Sequence, residues 1–198
     1  MGIAGHSFVK RLRRHLGNTP AENLRISKRY NVVFAPTVYY LFDDLFSGGL
    51  KQWCREQDVD ILVLDIGSND LANLTEADEH VIEWAGDLVS FAGQLPVSRV
   101  VLNYVIPREA NIRSTKTVFR INADKYNASL NGLVLGTKCA VNKQQGFANW
   151  YDPINRMVIH RPVESWSEDG IHVTKRFWEK YVLRLRSAIF SSQRFTLK

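Results

Sequence analysis

Ile61-Leu62-Val63-Leu64-Asp65-Ile66, followed at once by Gly67-Ser68-Asn69-Asp70, is the stretch that decides the fold. The run is apolar apart from Asp65 and shows no in–out alternation. It therefore reads as a strand buried on both faces, the habit of parallel sheets. Gly67 to Asp70 then reads as the turn that leaves its carboxyl end. Val100-Val101-Leu102-Asn103-Tyr104-Val105 is a second such run and ends ahead of Pro107. Val32 to Ala35 reads as a short strand stopped by Pro36, and Cys139-Ala140-Val141 as the last strand.

Helical periodicity fills the intervals. Val81, Ala85, Leu88, Ala92 and Leu95 make one apolar stripe, and Phe177, Tyr181, Leu185 and Ile189 another. Weaker helical patterns cover 50–57 and 118–135. Strands alternating with helices imply an α/β fold: a three-layer α/β/α sandwich around a parallel sheet of about five strands. No repeat or linker interrupts the pattern, so residues 1–198 are expected to form a single domain. Only Met1 to Ala4 precede Gly5. That is less than an average strand of ~5–6 residues, so either the first strand is shortened or the natural protein begins further upstream, the expectation being a domain excised from a longer chain.

In such sheets ligands bind beyond the carboxyl ends of the strands. Several chemistry-bearing residues fall there. Ser7 lies between the apolar start and an amphipathic basic segment, Phe8 to Leu16. It fits a helix cap or a nucleophile at a positive helix end. Val9 stands where a Gly-x-Ser-x-Gly elbow needs its second glycine. Asn69 fits a turn residue or a side-chain donor to an oxyanion. Gly48-Gly49 fits a flexible loop opening a helix, or a second oxyanion donor whose missing side chain admits an acyl group. Asp169-Gly170-Ile171-His172 precedes the last helix. Its acid can orient its own imidazole as a general base, or simply start a turn ahead of Thr174. Nucleophile, oxyanion donors, base and acid together are the set that acyl transfer requires.

In this order the blocks resemble those of the SGNH hydrolases, also called GDSL-type esterases and lipases, from Gly5 to about Phe190. Gly5-His6-Ser7-Phe8 resembles the first block, Ser47-Gly48-Gly49 the second, Gly67-Ser68-Asn69-Asp70 the third and Asp169-Gly170-Ile171-His172 the fifth. The resemblance implies a flavodoxin-like SGNH fold and a serine esterase with a triad of Ser7, His172 and Asp169. It implies an oxyanion hole of Ser7, Asn69 and Gly48, with Gly49 the alternative to Gly48. It implies a small acyl-ester substrate and no cofactor or metal. His6 departs from the family, which has aspartate there; this puts a titratable group next to Ser7 and changes the hydrogen bonding of the nucleophile loop. More loosely, the chain resembles esterase-like domains of some animal retrotransposon proteins.

Composition sets the remaining bounds. The chain has 198 residues, 45% hydrophobic and 23% charged, with a net charge of +6. No apolar run approaches the ~20 residues of a membrane span. Two cysteines, Cys54 and Cys139, without metal-like spacing, and no apolar leader point to an intracellular, cytoplasmic protein. Lys10-Arg11-Leu12-Arg13-Arg14-His15 and the group Lys175, Arg176, Lys180, Arg184 and Arg186 are read as solvated helix faces, with nucleic acid as the alternative partner. The rival to the esterase is thus a catalytically weak or inactive SGNH-like module that binds nucleic acid or a protein. Tyr39, Tyr40, Phe42 and Phe46, just ahead of Gly48, are read mainly as core and alternatively as the wall of an acyl pocket.

Overall fold

The computed structural model describes residues 1–17, 24, 31–36, 39, 41–106, 108, 113–143, 151–152, 157–158 and 174–194. The central sheet contains β1 (Gly2–Gly5), β2 (Val33–Phe34), β3 (Ile61–Asp65), β4 (Arg99–Asn103) and β5 (Cys139–Asn142). The strands are all parallel, in the order β2-β1-β3-β4-β5. The expected parallel α/β sandwich is therefore the observed fold. A two-stranded antiparallel pair, β6 (Tyr151–Asp152) and β7 (Met157–Val158), was not anticipated. Two residues per strand leave no periodicity to read.

The alternation along β3 explains the layers. All five of its residues are buried. Leu62 and Leu64 join one core cluster while Ile61 and Val63 join the other. The second cluster is closed by α1 (Ser7–Gly17) and α7 (Lys175–Arg194), through Phe8, Leu12, Tyr181 and Leu185. The first is closed by α2 (Phe42–Ser47), α3 (Leu50–Glu56), α5 (His80–Gln94) and α6 (Lys116–Leu133). Between β3 and α5 lies a five-residue helix, α4 (Ser68–Ala72).

The first strand is short, as expected, yet each of its residues pairs with β3, from Gly2 with Leu62 to Gly5 with Asp65. The chain leaves β1 toward β2 on one side and returns to β3 on the other. The sheet therefore reverses its winding between β1 and β3, and a crevice opens at their carboxyl ends. Gly5 is required at that edge. Its φ is +156°, and a Cβ would stand 2.1 Å from the Asp65 carbonyl oxygen.

Candidate active site

Ser7 is the first residue of α1, at the positive end of the helix dipole. The capping residue is its neighbour, His6. The His6 carbonyl accepts the Val9 N–H at 3.0 Å, and its imidazole Nδ1 accepts the Phe8 N–H at 3.3 Å. A side-chain acceptor on the second N–H of a helix is the usual cap geometry. Ser7 thus opens α1, with the cap assigned one residue earlier. His6 is 1% exposed. Its Nε2 lies 2.9 Å from Asp65 Oδ1, an oblique approach rather than a straight hydrogen bond.

Asp65 ends β3 in register with Gly5. Its Oδ2 accepts from the Tyr181 hydroxyl and from Asn103 Nδ2, the latter at 3.1 Å. Burial alone would raise the Asp65 carboxyl pKa. The imidazole of His6 and the donors Tyr181 and Asn103 outweigh it and hold the pKa below the usual carboxylate value. The buried Tyr181 hydroxyl is pushed well up by desolvation and by the adjacent carboxylate, so it stays a donor.

Across the crevice, β3 turns through Gly67, which has φ +97° and would bring a Cβ to 3.0 Å from the Phe42 ring. Asn69 therefore sits on α4 rather than at the strand end. Its carboxamide is oriented by a residue that the sequence did not single out. Arg108, 4% exposed, donates from Nη2 to Asn69 Oδ1 at 2.9 Å and also to the Ser68 hydroxyl. A guanidinium has no acceptor, so the amide atom facing it must be the oxygen. The donor end of Asn69, Nδ2, is consequently turned away from Arg108. The only sequence signal for Arg108 was a lone cation just past a buried strand and a proline.

The Gly48-Gly49 pair opens a helix, as expected, with Gly49 the N-cap of α3, but it follows a helix rather than a loop, Gly48 being the C-cap of α2. A Cβ at Gly48 would meet the Asp44 carbonyl and the Tyr39 ring, each at 2.6 Å. At Gly49 nothing lies within 4 Å of that position. Steric need for glycine thus favours Gly48 of the pair. Tyr39 and Phe42 are core, at 2% and 6% exposed, while Phe46 is 37% exposed, stacks on Phe42 and meets Phe91 at a tilt. Tyr40 lies outside the described residues, as do Asp169 and His172. Asp70 accepts the Phe42 N–H at 3.0 Å, tying α4 to α2. Burial pushes its carboxyl up to about 6, against the pull of its backbone donors.

Among the described residues no group of His, Cys, Asp and Glu is arranged to hold a metal ion. No described helix is long and apolar enough to cross a membrane. Both cysteines are buried free thiols, and burial raises Cys54 to about 11.

No protein-family model matches the sequence, and no curated protein does. Solved structures do match in fold. A GDSL-like lipase from Bacteroides thetaiotaomicron superposes with a TM-score of 0.64 at 16% identity, over 96% of this chain and 87% of that one. A family 3 carbohydrate esterase from Clostridium thermocellum gives 0.61 at 14% identity, over 100% and 99%. A candidate SGNH hydrolase from Slackia heliotrinireducens gives 0.59 at 14%, over 95% and 97%. The fold is therefore that of the SGNH and GDSL-like hydrolases.

Proposed function

We propose that this chain, built on the SGNH-hydrolase fold, is a serine esterase acting on a small acyl ester. Ser7 Oγ attacks the ester carbonyl carbon, and His172 takes its proton while Asp169 holds the imidazole. The Ser7 N–H, the Gly48 N–H and Asn69 Nδ2 stabilise the oxyanion. The intermediate collapses, His172 protonates the departing alkoxide, and an acyl group remains on Ser7. Water, deprotonated by His172, then attacks that acyl group and releases the acid.

The observation that carries this reading is the Asn69 amide. Its carbonyl is anchored on buried Arg108, and its helix follows β3, whose carboxyl end pairs with that of β1, the strand ahead of Ser7. The fold neighbours support an ester substrate: they include lipases, carbohydrate esterases and an acetyl esterase. The test is hydrolysis of p-nitrophenyl acetate by wild type and Ser7→Ala, purified identically. Loss of the nucleophile should cost at least ~10³-fold in kcat. Equal rates would overturn the assignment.

One observation favours a second reading, a weak or inactive SGNH-like module that binds nucleic acid or a protein. Lys10, Arg13 and Arg14 line a groove of about 800 Å³ with Val33 to Pro36. Equal rates in that assay, together with steeply salt-dependent binding of single-stranded nucleic acid, would favour it.

A further inference from the structure

His6 invites comparison with a general base, because it stands beside Ser7 and against a carboxylate. Its ring nitrogens face other groups than Ser7. Nδ1 accepts the Phe8 N–H, which requires that nitrogen to be unprotonated, and Nε2 faces Asp65 at 2.9 Å. With the imidazole side chain 2% exposed, neither nitrogen is open to take a proton from Ser7.

The surroundings assign a different role. Gly5 pairs with Asp65 and Asn103 with Asn142 in register, and the hydrogen bond from Asn103 to Asp65 joins the two pairs across four strands. Three of these side chains are linked: Asn142 Nδ2 donates to Asn103 Oδ1 at 2.9 Å, and Asn103 Nδ2 donates to Asp65. Tyr181 reaches the same carboxylate from α7, and Asn103 Nδ2 also meets the Tyr181 hydroxyl at 3.0 Å. These four polar side chains and that of His6 are all buried. Burying them costs free energy that apolar residues would not, so partners must satisfy them and their geometry is narrowly fixed. The packing around them is aromatic: Phe8 lies edge-on to His6 and Trp178, with ring centroids 5.6 Å apart in each case.

We infer that His6 and Asp65 are positioning residues: the buried pair clamps the turn that carries Ser7 and, through Tyr181, ties it to α7. That helix directly follows the Asp169-Gly170-Ile171-His172 segment in the chain. The clamp therefore joins the two elements that must agree in position for Ser7 to meet its base. Its catalytic consequence rests on the esterase reading, whereas its effect on the turn does not.

The experiment compares wild type, His6→Asp, Asp65→His, Asp65→Asn and the exchanged double variant His6→Asp/Asp65→His. Each is assayed for kcat and KM on p-nitrophenyl acetate, for labelling of Ser7 by a fluorophosphonate, and for amide hydrogen exchange across residues 5–9. His6→Asp sets two carboxylates together and Asp65→His two imidazoles. Each single variant should lose about 10–10²-fold in kcat with little change in KM, as expected for a nucleophile misplaced by ~1 Å. Exchange across 5–9 should quicken in each. The double variant again pairs one acid with one imidazole, and its aspartate can cap the Phe8 N–H, so most of the rate should return.

Single variants that only melt earlier, while the folded enzyme labels at the wild-type rate, would overturn the inference. So would a double variant no better than its parents. If wild type itself fails to label at Ser7, the esterase reading fails, and exchange across 5–9 still decides the clamp. Unchanged exchange in Asp65→Asn and in both exchanged singles would overturn it.

Discussion

Arg108→Met removes the guanidinium while keeping an unbranched stem against the Phe119 ring, over which the guanidinium now sits at 5.7 Å from the centroid. The variant deletes two donations from Nη2, to Asn69 Oδ1 and to the Ser68 hydroxyl. Hydrogen bonds from a charged group contribute ~1.5–3 kcal/mol each, so stability should fall measurably. The kinetic effect has a ceiling. In the proposed mechanism Arg108 acts through Asn69, and an oxyanion donor of this kind is worth ~2.7–4 kcal/mol, or about 10²–10³ in kcat. An amide that has lost its anchor still samples the productive orientation, so the loss should be about 10–10²-fold, with KM little changed. The assay is steady-state hydrolysis of p-nitrophenyl acetate in a double-mutant cycle with Asn69→Ala. Asn69→Ala alone should lose the full ~10²–10³ in kcat. Adding Arg108→Met to it should cost almost nothing more, because the side chain through which it acts is already gone. Additive losses in kcat would refute the reasoning and leave Arg108 as a contributor to stability only.

How much of this was legible in the sequence follows from which interactions are local. The run at 61–66, apolar apart from Asp65, declared a doubly covered strand, and burial on both faces of β3 is what makes it one. The stripe at Val81, Ala85, Leu88 and Ala92 declared α5, and all four residues are buried. Helix α2 went unread because aromatic residues at 39, 42 and 46 masked its start, although Asp44 marks it by accepting the Leu41 N–H at 3.1 Å. Ser7 and Asn69 stood out as candidates because each comes within four residues of a strand's carboxyl end. Their supports were not. His6 meets a carboxylate 59 positions on, and Arg108 reaches back 39 positions to Asn69. Such pairings depend on strand order and register, which a single sequence does not carry. His6 read as an added titratable group beside the nucleophile; in the fold it is the cap of α1 and the partner of Asp65.

Two further outcomes concern stability. Gly5→Ala should yield no folded protein under conditions where wild type is soluble, because its Cβ would lie 2.1 Å from the Asp65 carbonyl oxygen, and backbone there cannot yield cheaply. A variant with a wild-type melting curve would contradict that geometry. Asp70 gives stability a pH dependence of definite sign. Its carboxyl is raised from 3.8 to about 6 in the fold, chiefly by burial, so the folded chain holds a proton that the unfolded chain has lost between these values. Its contribution is therefore most favourable below 3.8, declines as pH rises to about 6, and is level above. Asp70→Asn keeps an oxygen to accept the Phe42 N–H and removes the penalised charge, so it should gain on wild type above about pH 6 and lose that advantage on acidification toward pH 4. Urea unfolding of both proteins across this range measures the difference; one that stayed constant with pH would show that Asp70 keeps an ordinary carboxylate pKa in the fold.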